Sequence, residues 1–240
     1  MLEQDPPHQN AKMPEKVRAQ WQAEVRRLIA LMEMHETPYL CNVGELEITI
    51  FPQVFSPRYF TDCEWFAVEV SKIVGSKTFF EVGVGSGIVA LKAALNGARV
   101  SGCDLNPHAV KNTEFNFSKH GVNGKFFHGS VFQPLKVTDR FDVIFWNHPF
   151  NRGSNPNETP LALCGFDFNY NGLREFIQNG HRYLNNDGKL LLGSGSFAEI
   201  ESIIEFAAEV GLSCNAIKSA TYPLEQGGHA LTEFTIYEIN

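Results

Sequence analysis

The chain of 240 residues lacks a long apolar run, and no segment approaches the roughly 18 residues that a membrane-spanning helix requires. Its first residues do not follow the pattern of a secretory signal peptide. Internal repeats and low-complexity tracts are also missing. We therefore expect a soluble, cytoplasmic protein without a membrane role, made of one domain of ordinary size and a short extension.

The usual spacings of metal ligands and disulfides are missing too. The eight histidines form no pattern such as H-E-x-x-H, and the five cysteines form no C-x-x-C pair. The cysteines are scattered along the chain at Cys41, Cys63, Cys103, Cys164 and Cys214. A zinc site and a disulfide framework are therefore disfavoured, and we expect reduced thiols and no metal.

A glycine-rich segment follows the apolar, β-prone residues 78–82. The glycines occupy alternate positions: Gly83, Gly85 and Gly87. A strand that runs through glycines into a helix brings backbone close to a ligand, although the same glycines can serve only a tight turn. Ile88 stands where a dinucleotide fingerprint has its third glycine, which favours a ligand without a pyrophosphate. Glu81, just before the loop, can meet a cationic amino group.

Asp104 lies at the carboxyl end of the next predicted strand, about 20 residues after the glycines, where an acid can accept hydrogen bonds from ribose hydroxyls. We expect Asp104, with the adjacent Leu105, to contribute to a nucleoside site. Asn106 before Pro107 is a good N-cap for the following helix. The two roles use different residues, so both can hold.

The segment Asn147-His148-Pro149-Phe150 follows another predicted buried strand at 141–146. An amide or aromatic-ring nitrogen is a poor nucleophile because its lone pair is delocalised. The Asn147 side-chain oxygen and the backbone carbonyl of His148 can each accept an N–H from such a group. Phe150 can offer an aromatic face to a flat amide or base. These residues therefore favour a site for a planar nitrogen.

Residues from about 51 to 212 resemble class I S-adenosylmethionine-dependent methyltransferases of the small-domain type. Protein-glutamine, adenine-amine and ribosomal RNA guanine-amine methyltransferases carry N-P-P-F/Y or D-P-P-Y at the point where this chain has 147–150. The resemblance implies S-adenosylmethionine as the cofactor and methyl transfer to a planar nitrogen as the reaction. It implies these catalytic positions: Asn147, His148, Pro149 and Phe150.

His148 departs from that family pattern, since a proline is expected there. The carbonyl acceptor survives the change, but the fixed φ of proline is lost. His148 can contact substrate or be an exposed loop histidine, and we favour the exposed loop residue.

A second resemblance lies upstream, where residues 57–62 are similar to the P-R-P-x-T-E element of the protein-glutamine methyltransferases. It implies that Thr61 lies beside the cofactor, but Thr61 is an equally good N-cap for a helix over 62–74. Ser130 occupies a position where relatives often have an acidic residue against the adenine amine, so adenine recognition would rest on backbone groups. The expected cofactor site comprises Thr61, Glu81, Gly83, Gly85, Gly87, Asp104, Leu105, Ser130, Val131 and Asn147.

The predicted fold class is α/β, with a seven-stranded, mostly parallel sheet, flanking helices and an antiparallel last strand, as in Rossmann-like methyltransferases. Strands are predicted at 78–82, 99–103, 124–128, 141–146, 188–193, 213–219 and 232–238. Helices are predicted at 15–35, 87–96, 107–120, 171–184 and 196–211. We expect residues 1–60 to form an N-terminal extension, frayed over 1–13 and with a hairpin or lid near 45–51. Residues 61–240 would form the catalytic domain.

The loop 151–171 is long enough to suggest a function, and we expect it to form one wall of the substrate pocket. Its aromatic residues Phe166, Phe168 and Tyr170 can contact substrate, although hydrophobic anchoring of the loop is the favoured role.

The charge of the chain bears on its substrate. The net charge is −7, the pI is about 5.6, and no Lys/Arg cluster is present, whereas large nucleic acids usually require a basic surface. We therefore rank a glutamine-containing loop of a protein first and a small molecule close behind. An RNA or DNA exocyclic amine and a non-catalytic cofactor-binding module remain alternatives. We expect a monomer or a weak dimer.

Overall fold

The N-terminal part of the computed structural model contains one long helix and a hairpin. The structure describes residues 13–155 and 157–240, so most of the segment expected to be frayed lies outside the described residues. Helix α1 (Glu15–Glu33) is followed by the antiparallel strands β1 (Tyr39–Val43) and β2 (Leu46–Ile50). The predicted helix and hairpin are thus confirmed, while the division at residue 60 stays a prediction.

A seven-stranded sheet forms the centre of the molecule. Its strands, in chain order, are β3 (Thr78–Val82), β4 (Arg99–Asp104), β5 (Gly124–His128), β6 (Phe141–Asn147), β9 (Leu184–Gly195), β10 (Cys214–Pro223) and β11 (Leu231–Ile239). Their spatial order is β10-β11-β9-β6-β3-β4-β5. The five strands from β9 to β5 are parallel, and β11 and β10 are antiparallel to their neighbours. The predicted α/β fold class is confirmed.

Five further helices flank the sheet: α2 (Asp62–Val74), α3 (Ile88–Leu95), α4 (Pro107–Lys119), α5 (Asn171–Asn179) and α6 (Ile200–Ala208). Helix α6 begins four residues later than predicted because the Ser196 N–H still donates to the Glu233 carbonyl of β11, which continues the sheet pairing. Helix α5 ends early in a 3-10 turn, Gly180–Tyr183. No helix among the described residues is long and apolar enough to cross a bilayer.

The loop 151–171 contains two short parallel strands, β7 (Asn151–Gly153) and β8 (Phe166–Phe168), and a 3-10 helix, Ala162–Cys164. Phe166 and Tyr170 are fully buried, and the Tyr170 hydroxyl donates to the Phe150 carbonyl at 2.6 Å. The aromatic residues at these two positions therefore anchor the loop, as predicted.

The apolar face of α1 packs into the same hydrophobic core as the hairpin, α2 and α3. Val25, Leu28 and Met32 are buried, while Val17 near the helix start is 37% exposed. Helices α5 and α6 cover the other face of the sheet. The N-terminal helix is thus part of the packed structure.

Two asparagines of α4 bind the backbone of β2. The Asn116 side chain accepts from the Thr49 N–H at 2.9 Å and donates to the carbonyls of Thr49 and Ser86. Asn112 makes the matching pair with the Phe51 N–H and the Thr49 carbonyl. Both side chains are fully buried. They satisfy polar groups on the outer edge of the hairpin that would otherwise be buried without partners.

We predict that Asn116→Ala lowers the free energy of unfolding by about 2–4 kcal/mol, because buried backbone groups lose their partner. Urea unfolding without ligand measures this change. Glu114→Ala, on the exposed face of the same helix, is the control and should change stability by less than about 0.5 kcal/mol. A loss of equal size in both variants would contradict the role given to Asn116.

Candidate active site

A cavity of about 400 Å³ lies at the carboxyl ends of β3, β4 and β6. It brings together most of the residues singled out from the sequence: Glu81, Gly83, Gly85, Asp104, Leu105, Ser130, Val131, Asn147, His148, Pro149 and Phe150. Thr61 and Gly87 do not line it. The parallel sheet explains this convergence, since all its strands end at one edge.

The glycine loop approaches its neighbours too closely for larger side chains. A Cβ on Gly83 would lie 2.9 Å from Trp146 Nε1, and one on Gly87 would lie 2.8 Å from Thr113 Cγ2. Both glycines have positive φ, at +66° and +83°. Around a Cβ at Gly85, by contrast, there is open space. Gly83 and Gly87 therefore close the strand-to-helix turn, and Gly85 leaves room on the cavity side.

The carboxylate of Asp104 is held by backbone donors at the end of β4. Its Oδ2 accepts from the Gly85 N–H at 2.9 Å and its Oδ1 from the Asn106 N–H at 2.8 Å. Burial raises the pKa of Asp104 to about 6 in spite of these donors. Asn106 caps α4 by accepting from the His108 N–H, which confirms that prediction.

Glu81 is buried at the end of β3, beneath the glycine loop, with 3% of its surface exposed. In the described part of the chain its Oε2 has no hydrogen-bond partner. Burial and the nearby Asp104 raise its pKa well above the usual range. A buried acceptor without a partner is costly, so this carboxyl group is suited to a cationic or donor group entering the cavity.

Asn147 is the last residue of β6, and a hydrogen bond holds the nitrogen of its side-chain amide. Its Nδ2 donates to Asp62 Oδ2 at 2.9 Å, while its Oδ1 is buried and has no partner among the described residues. An ionised carboxylate only accepts, so the amide must turn its nitrogen to Asp62 and its oxygen away. Asp62 lines the same cavity and was missed as a site residue, although it belongs to the recognised 57–62 element.

The interpretation of His148 as an exposed loop residue is wrong. The imidazole is 2% exposed, and its Nε2 hydrogen-bonds with Ser194 Oγ of β9 at 3.0 Å. Its ring also meets Phe150 and Tyr170 edge to face. Burial lowers the pKa of His148 to about 3, so the ring is neutral at physiological pH. The chain turns inward after β6, so the side chain at position 148 is buried. The replacement of the family's proline by histidine did not predict this burial.

Phe150 lies in the cavity wall, but most of its ring packs against protein. Its ring meets Phe197 edge to face at a centroid distance of 5.3 Å and is 9% exposed. The sequence did not point to Phe197, nor to Val25 of α1, which also lines the cavity. Trp21 stacks on Phe197, so α1 covers this end of the cavity.

Ser130 lines the cavity, whereas Thr61 does not. The Thr61 hydroxyl donates to the Pro223 carbonyl and makes no capping hydrogen bond to α2, so its interpretation as an N-cap is wrong. A contact between Thr61 and the cofactor stays a prediction. Ser130 and Val131 lie in the cavity wall after β5.

Comparison with known proteins gives a consistent family. Residues 45–222 match the family "Methyltransferase small domain". A Methanocaldococcus jannaschii protein, provisionally named as a protein N5-glutamine methyltransferase, is 27% identical over 192 residues, covering 78% of this chain and 95% of that protein. The release factor glutamine methyltransferase of Aliivibrio fischeri is 29% identical over 147 residues, or 57% of this chain and 51% of that protein.

A similar solved structure is the T. thermophilus 16S rRNA N2 methyltransferase in complex with AdoMet and guanosine. The TM-score is 0.58 at 18% sequence identity, and the match covers 84% of this chain and 50% of that one. This chain thus spans about half the length of the A. fischeri and T. thermophilus proteins. The structural likeness supports the α/β methyltransferase fold described above.

The family match extends over well more than half of the chain and includes the glycine loop, Asp104 and the segment 147–150. The chain therefore belongs to the methyltransferase small domain family and is an S-adenosylmethionine-dependent methyltransferase.

Proposed function

We propose that this protein methylates a planar nitrogen and that its preferred acceptor is a glutamine side-chain amide of a protein. The observation that carries the proposal is the buried, unpaired Oδ1 of Asn147 in the cavity wall. A carbonyl oxygen in that state is suited to an N–H donor, and a primary amide offers two. The backbone carbonyl of His148 is the second acceptor.

The cavity residues fit S-adenosylmethionine. The unpaired Glu81 oxygen suits its amino group, and Asp104, whose oxygens can each accept a further hydrogen bond, suits the ribose hydroxyls. Gly83 and Gly85 let the loop backbone lie close to the ligand. Thr61, Gly87, Leu105, Ser130, Val131 and Asn147 complete the proposed cofactor site. When bound, the cofactor supplies an electrophilic methyl group on a sulfonium sulfur.

Asn147 and its neighbours act on the acceptor nitrogen. Two accepted N–H bonds shift electron density onto that nitrogen and hold it in line with the methyl group. Each bond contributes roughly 0.5–1.5 kcal/mol net, whereas alignment can supply up to about 7–11 kcal/mol. No base is needed before transfer, because the nitrogen can lose its proton afterwards. Pro149 and Phe150 form the wall against which the flat acceptor lies.

The ranking of substrates rests on charge and on the relatives. An acidic chain without a basic cluster is poorly suited to bind RNA phosphates, and two relatives carry the name of protein glutamine methyltransferases. The guanosine-bound T. thermophilus structure keeps an RNA exocyclic amine as the second candidate. The expected monomer or weak dimer stays a prediction.

Transfer of tritiated methyl groups from S-adenosylmethionine into a fractionated lysate lacking the endogenous enzyme tests the substrate class. We expect label that protease releases and nuclease does not. Label released only by nuclease would place an RNA or DNA exocyclic amine ahead of a protein glutamine as the acceptor. An absence of macromolecular label would favour a small-molecule substrate or a non-catalytic module.

We predict that Asn147→Ala slows methyl transfer about 100-fold or more, because the acceptor nitrogen loses a fixed partner in the transition state. The affinity for S-adenosylmethionine, measured by calorimetry, should change less than about threefold. Asn185→Ala, exposed at the start of β9, is the matched control and should be fully active. An active Asn147→Ala enzyme would remove Asn147 from the catalytic role.

A pH dependence is expected for cofactor binding. Asp104 has a raised pKa of about 6, so below that pH the free protein carries a proton that a ligand needing the carboxylate must displace. The affinity for S-adenosylmethionine should therefore fall with decreasing pH below 6, by up to about tenfold per unit. Asp104→Asn should bind S-adenosylmethionine more weakly at pH 7.5, and its affinity should depend less steeply on pH below 6. Identical slopes in both proteins would exclude Asp104.

A further inference from the structure

The orientation of the Asn147 amide decides what it can do. The oxygen and the NH₂ group of a primary amide are similar in size, but a flipped amide would present N–H donors to a substrate that also presents N–H donors. Among the described residues, the side chain of Asn147 makes one hydrogen bond, from Nδ2 to Asp62 Oδ2 at 2.9 Å. The orientation therefore depends on Asp62.

Asp62 is an unusual residue for a purely structural role. It is the first residue of α2 and is 4% exposed, with no cation paired to it in the described part of the chain. Its Oδ1 faces the Cys63 thiol at 3.5 Å. A buried carboxylate that binds only neutral donors is costly compared with a neutral side chain of the same size. The positive end of the α2 dipole offsets a part of that cost.

We propose that Asp62 is a positioning residue for methyl transfer: its carboxylate holds the Asn147 amide with Oδ1 towards the acceptor nitrogen and polarises that amide. This inference rests on the function proposed above for Asn147. The acceptor N–H becomes more acidic as its nitrogen gains the methyl group, so a more negative Oδ1 binds it more strongly in the transition state than before. The contribution of Asp62 therefore belongs to the rate of transfer rather than to cofactor binding.

The ionisation of Asp62 can be followed without a substrate. The groups that face its carboxyl are the Asn147 amide, the Cys63 thiol and the backbone N–H groups of residues 62 and 63. Burial and the charge of Asp62 raise the pKa of Cys63 far above 9, so that thiol stays protonated, and the neighbouring His148 stays neutral. Burial raises the pKa of Asp62 itself. Asp104 and Glu81 of the same cavity also have raised pKa values, so a pH titration of the Asn147 amide reports Asp62 when it is lost in Asp62→Asn.

Nuclear magnetic resonance of the ¹⁵N-labelled protein is the first test. The Asn147 side-chain amide signals, assigned by their loss in Asn147→Ser, should titrate with a midpoint above the ordinary aspartate value of about 3.9. They should not titrate in Asp62→Asn. Asn151 is an internal control, because this second buried amide in the cavity wall donates to the Gly165 carbonyl at 3.0 Å. Asn147 signals that do not move with pH in the wild type would overturn the proposal.

The second test measures the rate of transfer from saturating tritiated S-adenosylmethionine into the same lysate fraction. Asp62→Asn keeps the size of the side chain but allows either orientation of the Asn147 amide, so the rate should fall about 10- to 100-fold. The cofactor affinity should stay within about threefold of wild type. Asp62→Glu keeps the carboxylate and should recover part of the rate.

The outcomes separate the two proposals. An Asp62→Asn enzyme that transfers methyl groups at the wild-type rate would overturn the positioning role and leave the proposed function intact. So would an Asp62→Glu enzyme no faster than Asp62→Asn when both are folded. If the wild type labels no fraction, the proposed function fails, and the Asn147 titration still decides whether Asp62 holds the amide. If Asp62→Asn does not fold, the wild-type titration decides the same point.

Discussion

The parallel arrangement of β3, β4 and β6 is the constraint on which the site depends. Parallel strands end at one edge, so residues far apart in the chain (Glu81, Asp104 and Asn147) arrive at a single cavity. The glycine turn after β3 keeps this edge open, because Gly83 lets the chain pass Trp146 of β6 without a clash. The antiparallel strands β10 and β11 complete the sheet but supply none of these three polar residues. Phe234 of β11 contributes an apolar side chain to the cavity wall.

Several buried polar groups that lack hydrogen-bond partners lie where this edge meets the cavity. Glu81, Asn147 and Asn151 all line it, and each has a buried oxygen without a hydrogen bond inside the described structure. Each such oxygen costs free energy in the absence of ligand. The contact between α4 and β2 is different, because Asn112 and Asn116 satisfy the backbone groups buried there. The proposed binding site accounts for these unpaired oxygens, because its acceptors would gain partners when cofactor and methyl acceptor enter.

Neighbouring carboxyl and amide groups in the cavity have different roles because their partners differ. Asp104 receives two backbone N–H groups, which place it at the end of β4 and leave it able to accept more. Asp62 accepts a hydrogen bond from the Asn147 amide and so sets the direction of the oxygen for which we propose a role in binding the methyl acceptor. Helix α1 adds a further layer, since Val25 and the Trp21–Phe197 stack close the end of the cavity beside Phe150.

The sequence by itself determined the fold class and the order of the main strands and helices. Most of the site residues expected from it line the cavity, although many other lining residues were not expected. Local patterns sufficed for the correct expectations: apolar runs for buried strands, glycines for the turn, and polar residues at strand ends. The start of α6 was misplaced because Ser196 still pairs with β11, a contact that no local pattern reveals. Only the tertiary structure decided that His148 is buried against Ser194, that Thr61 bonds to Pro223 instead of capping α2, and that Asp62 binds Asn147. Each of these contacts joins residues at least 46 positions apart, and such pairings depend on how helices and strands pack rather than on the residues beside them in the chain.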